Sequence, residues 1–409
     1  MSALRSVQLD ELSDGGELAA LSVVEAAALS STELVEVRPE GDGRWRLLPR
    51  GRVGAVRIGD VQVQVTPKEK VGLAHLIFLL GYAKDPGFRP EDVTGERDDD
   101  LWPAMAHSLA RAADRALARG VVQGYRTTDE ALRTIRGRIR FGDQLRARPG
   151  MWVPVEVTHD DFTVDTVENR ILRAALRIML AVPRLDDGVR RRLAHLDGRL
   201  EGVEVLRPGS PVPSWTPSRL NERYQPALRL AEVVLRNCSA KPSQEGIEMA
   251  SFVVTMWKVF EDFVTIALTE ALAPHPGRTH AQLPAFLAGA GSWERGEVPM
   301  NVDVVHRADD GRPLVVFDAK YKVASASGQY ANADHYQMLA YCTALKVPRA
   351  WLIYAGGGSS TRTRTIKNIG VEVVEAPLDL SQSPNVVLRQ VAQIATEALA
   401  GTTSKQEAG

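Results

Sequence analysis

Asp303, Asp318 and Lys320 are the residues whose types and spacing point most directly to chemistry. They lie in Asn301-Val-Asp303-Val-Val-His-Arg-Ala-Asp-Asp-Gly-Arg-Pro-Leu-Val-Val-Phe-Asp318-Ala-Lys320-Tyr-Lys, where Asp310-Gly311 signals a two-residue hairpin turn between apolar strands. Pairing outward from that turn sets Asp303 directly opposite Asp318. Facing carboxylates repel, so a sheet tolerates them readily only with a cation between them. Lys320 follows Asp318 by two residues, and the period of a strand brings its ammonium to the face that carries both carboxylates. Two hard oxygen ligands, with the Ala319 carbonyl as a third, suit a magnesium ion that keeps several waters and takes its other ligands from phosphate. The lysine then holds or deprotonates an attacking water and helps neutralise charge on the phosphorus oxygens. The expected chemistry is phosphodiester hydrolysis.

An Asp and a Lys two apart on a surface strand are also common without any function. Val315, Val316 and Phe317 favour the site, because they keep the strand apolar up to Asp318, and a buried carboxylate requires a compensating partner. Glu261, on the helix expected before the hairpin, is a candidate additional carboxylate and metal ligand, although an exposed helical glutamate would look the same. Gln337 and Tyr341, four apart on the helix that follows, share a face that would meet the metal or a DNA strand, or would cap a core.

Positioning these groups calls for an α/β domain, and residues 245–400 read as one. Helical spacing predicts a long helix from about Met249 to Leu272, a second over Ala333–Leu345 and a closing one over Asn385–Leu399. Strands are expected near Asn301–Arg307, Leu314–Lys322, Ala350–Tyr354 and Val371–Val374, giving an αβββαβ order with the hairpin at its centre. Residues 1–150 form a β-rich N-terminal domain, with strands at Leu34–Val37, Trp45–Leu48, Val53–Ile58 and Val61–Val65, a tight turn at Gly59-Asp60, and helices over Val71–Ala83 and Trp102–Leu117. Residues 151–244 form a helical connecting region, with Val167–Val182 and Leu220–Leu235 its clearest helices and a proline-rich loop over 208–217. Residues 401–409 read as a polar, disordered tail. The fold class expected is α/β, or α+β for the chain as a whole.

With 409 residues, 44% hydrophobic and 25% charged, the chain has enough apolar residues for two or three globular domains. Fifty Lys and Arg against 51 Asp and Glu leave a net charge of −1, which excludes a protein held on DNA by bulk electrostatics alone. Nucleic-acid contact must therefore come from local patches or from a partner. The most basic window is 101–150, with ten arginines against four acids. There Ile135, Gly137, Ile139 and Phe141 alternate with Arg136, Arg138 and Arg140, which as a strand would put the guanidinium groups on one face. They are a candidate contact for a partner or for DNA, or a solvated edge protected by charge. The two cysteines, Cys238 and Cys342, lack the spacing of a disulfide framework or zinc site and read as buried thiols. No apolar run approaches a membrane span and the N-terminus lacks a signal-peptide core, so a cytoplasmic location is expected.

These residues resemble the PD-(D/E)xK nuclease superfamily, with a Q-x-x-x-Y helix after the motif as in RecB-type nucleases. A closer resemblance is to the McrC-like nuclease subunits of the McrBC modification-dependent restriction systems. It is carried by Val65-Thr-Pro67-Lys68, Leu132-Arg-Thr-Ile-Arg-Gly-Arg138-Ile, Phe162-Thr-Val-Asp165-Thr-Val-Glu168-Asn169-Arg170-Ile-Leu, Asn221-Glu-Arg-Tyr224, Phe260-Glu261, Phe317-Asp318-Ala-Lys320-Tyr321-Lys and Asp334-His-Tyr-Gln337-Met-Leu-Ala-Tyr341. One departure is Val302, where a proline often precedes the first aspartate. The resemblance implies a magnesium-dependent DNA endonuclease with Asp303, Asp318 and Lys320 at its centre. Its partner would be a McrB-like AAA+ GTPase hexamer that binds GTP, recognises modified DNA and is stimulated by the N-terminal portion of the subunit. The chain has no G-x-x-x-x-G-K-[ST] loop, so the motor would act in trans. Self-association through the nuclease domain is a further expectation.

Overall fold

The structure, a computed structural model, describes residues 4–11, 13, 15–67, 71–86, 88, 100–207, 209–242, 248–287, 298–321, 332–356 and 360–403. Lys68, Pro208, Lys322 and residues 404–409 of the expected tail lie outside them. The chain forms two compact units, one of Met1–Ala104 with Pro242–Gly409 and one of Met105–Lys241. Expected linear boundaries near 150 and 244 cut it differently. Residues 1–104 share their unit with the C-terminal α/β layer, because the two are joined by sheet pairing and by a common core.

In the first unit, β1 (Arg5–Asp10), β2 (Glu17–Ala20), α1 (Val23–Ser31), β3 (Val35–Gly41), β4 (Arg44–Pro49), β5 (Val53–Ile58), β6 (Val61–Thr66) and α2 (Leu73–Tyr82) come first. Strands β2, β4 and β3 make a small antiparallel sheet, while β1 runs parallel to β6 and β6 antiparallel to β5 through the expected turn at Gly59-Asp60. The chain crosses to the second unit in α3 (Leu101–Leu117). That unit contains β7 (Gly124–Leu132), β8 (Arg138–Ile139), α4 (Phe141–Ala147), β9 (Val155–Thr163), α5 (Val167–Leu180), α6 (Asp187–Arg199) and α7 (Gln225–Asn237), and β10 (Cys238–Pro242) leads back. Helix α5 packs on α6 and α7, and β7 pairs with β9 as a long antiparallel ribbon.

The first unit resumes with β11 (Glu248–Val254), α8 (Met256–Leu272), β12 (Arg278–Phe286), β13 (Pro299–Arg307), β14 (Pro313–Lys320), α9 (Asn332–Leu345), β15 (Arg349–Ala355), β16 (Arg362–Thr365), β17 (Glu372–Leu378) and α10 (Pro384–Thr403). Six strands form one mixed sheet in the order β12-β13-β14-β15-β17-β16. The αβββαβ order is present as α8-β12-β13-β14-α9-β15. The third strand of its β-run is β12, which the sequence pattern did not reveal; it is polar, carries Pro284 and sits at the sheet edge, where burial imposes no period-two signal.

Residues 249–254 are a strand, not the start of the long helix. Ala250, Phe252 and Val254 alternate inward, and β11 pairs antiparallel with β5, so this segment completes the sheet before α8 begins. Likewise the expected strand over Ile135–Phe141 shrinks to Arg138–Ile139, with Phe141 opening α4. Its apolar side chains are not inward: Ile135 and Phe141 are 62% and 63% exposed. Cys342 is buried as expected, whereas Cys238 is only half-buried. No helix among the described residues is long and apolar enough to cross a membrane.

Helix α8 is the pivot of the first unit. Its face of Val259, Phe260, Phe263, Val264, Ala267 and Leu268 is buried, at the spacing of one helical stripe, and Phe263 meets Phe78 and Tyr82 of α2 at ring-centroid distances of 6.0 and 5.5 Å. The N-terminal segment thereby fixes the helix that carries Glu261. Gly54 lets β11 come close to β5, with φ +144° and an added Cβ only 1.9 Å from the Phe252 carbonyl oxygen. Replacing Gly54 with Ala is therefore expected to cost about 2 kcal/mol or more, read as a lower unfolding midpoint in thermal or denaturant melts.

Candidate active site

The hairpin reaches the expected register by a different route. The turn is a three-residue loop, with Ala308 N–H donating to Arg312 O (2.9 Å) and Gly311 left-handed at φ +84°. A bulge between His306/Val315 and Arg307/Pro313 then restores the pairing, and Val304 stands opposite Phe317. One residue further along this register, Asp303 faces Asp318. The Ala319 N–H donates to Asp303 Oδ2 (3.0 Å), which fixes that carboxylate against β14.

Asp318 is 1% exposed, and neither of its oxygens accepts a hydrogen bond of good geometry, while the Lys320 ammonium lies 2.5 Å from Oδ2. Burial, then the Asp303 charge beside it, raises the Asp318 carboxyl to about 7. Burial also raises Asp303, against the opposing pull of the Ala319 N–H and Lys320. For Lys320, burial pulls the ammonium down, but the Asp318 carboxylate against it more than offsets this and the net shift is upward. Lysine is thus held charged. The face of β14 bearing Asp318 and Lys320 also carries Val316, which packs in one core with Met338, Tyr341 and Cys342 of α9.

Glu261 comes to the same place by way of Gln282, whose Nε2 donates to Glu261 Oε1 (2.8 Å) and to Asp303 Oδ1 (3.4 Å). Burial and the Asp303 charge raise the Glu261 carboxyl. Gln337 and Tyr341 share the predicted helix face but act on the frame. Gln337 Nε2 donates to Tyr341 Oη (2.6 Å), which donates to the Asn301 carbonyl (2.6 Å), pinning α9 to β13 two residues before Asp303. Asp334, 3% exposed, receives the Tyr354 hydroxyl (3.3 Å) and adds negative potential that raises both Asp318 and Lys320.

Two further residues reach the site that spacing alone does not assign, Gln282 and Asp334. Asp334 stands three residues before Gln337 on α9, a usable signal, whereas Gln282 lies on a strand with no period-two pattern to mark it.

Arg136, Arg138 and Arg140 do not form one face of a strand. Arg136 pairs with Asp161 (2.7 Å), Arg140 with Asp129 (3.4 Å) and Asp143, while Arg138 is exposed. The Asp165-Thr166-Val167-Glu168-Asn169-Arg170 block is a latch. Arg170 binds Asp165 through two nitrogens (2.7 and 2.5 Å), and the wholly buried Asn169 donates to Val122 O and Val164 O (2.7 and 2.6 Å). Among the described residues, Glu130, His159 and Asp161 alone bring three metal-type ligand atoms within 4.8 Å of one another. His159 Nε2 lies 3.2 Å from Glu130 and 3.1 Å from Asp161, distances that an N–H donor explains.

The donor set of the hairpin fits a hard divalent cation. Asp318 is a buried carboxyl with the Lys320 ammonium against Oδ2, it faces a second carboxylate, and ionising it there requires compensation. Asp303 and Asp318 would hold the ion, with the Ala319 carbonyl and Glu261 as further oxygen donors. Without metal, the site opposes folding as pH rises. Asp318 titrates near 7 in the folded chain and near 3.9 unfolded, so its contribution is full below about pH 4 and is lost as pH rises toward 7. In chelator, Asp318→Asn should melt a few degrees above the unchanged chain near pH 8, and the gap should close toward pH 4 to 5. Melting curves across that range check this; a pH-independent gap contradicts it.

The family model of the McrBC 5-methylcytosine restriction system component matches residues 48–355. Among solved structures, a chain in the Thermococcus gammatolerans assembly of McrB AAA+ hexamers with bound McrC is 16% identical, with a TM-score of 0.57 over 95% of this chain and 98% of that chain. Another, from the cryo-EM structure of the Thermococcus gammatolerans McrBC complex, is 18% identical with a TM-score of 0.41, covering 66% of this chain and 89% of that one. No curated protein matches. The first structural likeness shows a shared fold, and the family match spans most of the residues that build the hairpin site. On that match the chain belongs to the family of McrBC 5-methylcytosine restriction system components.

Proposed function

We propose that this chain is the magnesium-dependent DNA endonuclease subunit of a McrBC-type restriction system. The observation that carries the proposal is the Asp318 carboxyl, buried opposite Asp303 with a charged lysine against it. A bound magnesium ion would polarise the phosphodiester and lower the pKa of a coordinated water. Asp303 and Asp318 hold that ion. Glu261 extends the carboxylate set, oriented by Gln282. Lys320 serves as a fixed cation beside the scissile phosphate rather than as a base, because its ammonium is stabilised by Asp318. Gln337 and Tyr341 hold β13 in register with α9.

The partner is an AAA+ GTPase hexamer, by analogy with the solved assembly in which McrC is bound to McrB AAA+ hexamers. The surface of the second unit supports a protein contact there. Tyr125 and Trp152 are 79% and 78% exposed, Phe141 and Leu145 are exposed, and Arg138 lies among them in sequence. Large exposed apolar groups, Tyr125 on β7, Phe141 and Leu145 on α4 and Trp152 in the loop after α4, mark an interaction surface better than a solvated one. The near-zero net charge agrees with delivery to DNA by a motor.

With the GTPase partner, GTP, magnesium and methylated DNA, Asp318→Ala should reduce cleavage to background and Lys320→Ala should lower it by about 10²- to 10³-fold. Both should leave stimulation of GTP hydrolysis intact. Cleavage that survives both changes rules out this active site; DNA left uncut by the unchanged complex would favour a non-cutting adaptor. Conversely, Tyr125→Ala with Trp152→Ala should weaken partner binding by at least about tenfold, as truncating aromatic anchors does, with melting temperature unchanged. Calorimetric or pull-down titration of the partner reads that effect.

A further inference from the structure

Six non-glycine residues among those described have positive φ, and five of them, Glu33, Asp42, Arg184, Lys346 and Asn368, lie in turns. Gln282, at φ +47°, sits inside β12. Ala281 pairs with Val304 and Leu283 with Val302, so the ladder is kept on both sides of the left-handed residue, and Gln282 falls opposite Asp303. A glycine or asparagine would adopt this backbone more readily. Glutamine at a left-handed position within a strand is held there for its side chain, and that side chain joins the Glu261 and Asp303 carboxylates through one amide nitrogen.

We propose that Gln282 is a positioning residue for the metal-binding carboxylates, an inference that rests on the metal-dependent reading above. The left-handed turn of the backbone aims the amide across the strand pair. Its Nε2 donates to Glu261 on α8 and Asp303 on β13, elements that pack against each other, and so sets the separation of two like charges before an ion arrives. Groups that orient ligands in this way typically govern metal affinity by 10- to 100-fold. Exposure of Gln282 to solvent leaves the ion's path open.

Gln282→Gly is the informative variant, because glycine keeps the left-handed backbone without strain and removes only the amide. Binding of Mn²⁺ to the full chain is measured by electron paramagnetic resonance of the free ion, alongside melting curves in chelator and the magnesium dependence of cleavage with the partner. The expected result is a melting temperature equal to or above that of the unchanged chain, Mn²⁺ affinity lower by about tenfold, and a similar rise in the magnesium needed for half-maximal cleavage. Mn²⁺ affinity and magnesium dependence equal to those of the unchanged chain would overturn the proposal. So would recovery of tight binding in Gln282→Ala, which lacks the amide as well. Asp318→Asn separates the two levels of inference. If it binds Mn²⁺ as the unchanged chain does, the metal site itself is misassigned; if it loses Mn²⁺ while Gln282→Gly does not, only the role of Gln282 falls.

Discussion

A buried carboxyl, Asp318, and a half-buried one, Asp303, face each other across adjacent strands, and much of the first unit serves to make that tolerable. Burial makes ionisation of Asp318 oppose folding, and the Asp303 charge beside it makes matters worse. The structure offsets the cost with a lysine ammonium on the same strand face and a backbone N–H to Asp303, and it does not remove the cost. Two apolar side chains of equal volume would be cheaper at these positions, and the carboxyl pair is what the proposed metal site requires.

Holding that pair in place explains features that are otherwise unrelated. The bulge after His306 returns the hairpin to the register that opposes Asp303 to Asp318. Tyr341, through the Asn301 carbonyl, fastens α9 to the strand just before Asp303. Phe78 and Tyr82 of α2 seat Phe263 of α8, the helix from which Glu261 projects. β11 extends the N-terminal sheet directly into that helix. Helix α2 and strand β5 thereby brace the proposed site. Tyr321, the residue after Lys320, adds to this through its hydroxyl bond to Glu11 at the end of β1 (3.2 Å).

Charge is distributed in the same economical way in the second unit. Within its arginine-rich window Arg126 pairs with Asp165, Arg136 with Asp161, Arg140 with Asp129 and Arg148 with Glu156, while Arg133, Arg138 and Arg146 are exposed. The same stretch of chain also exposes Tyr125, Phe141, Leu145 and Trp152, side chains of the kind found at protein interfaces.

The hairpin, its two aspartates and the lysine were legible because each depends on local rules: turn chemistry, period two along a strand, and the rarity of acidic residues within an apolar run. The helix faces of Glu261, Gln337 and Tyr341 followed from spacing. What the sequence could not give was anything set by distant pairing. β11 took its strand form from β5, nearly two hundred residues earlier, over an apolar run that helical spacing described equally well. β12, an edge strand with little burial, carries no periodic trace, and Gln282 is distinguished only by its left-handed backbone opposite Asp303. The arginine strand failed for the complementary reason: only Arg138–Ile139 pair, with β9, and the apolar Ile135 and Phe141 stay at the surface. By itself, then, the sequence determined which groups could do the chemistry; only the tertiary structure decided which of them meet, because long-range strand pairing fixes distances that no local spacing encodes.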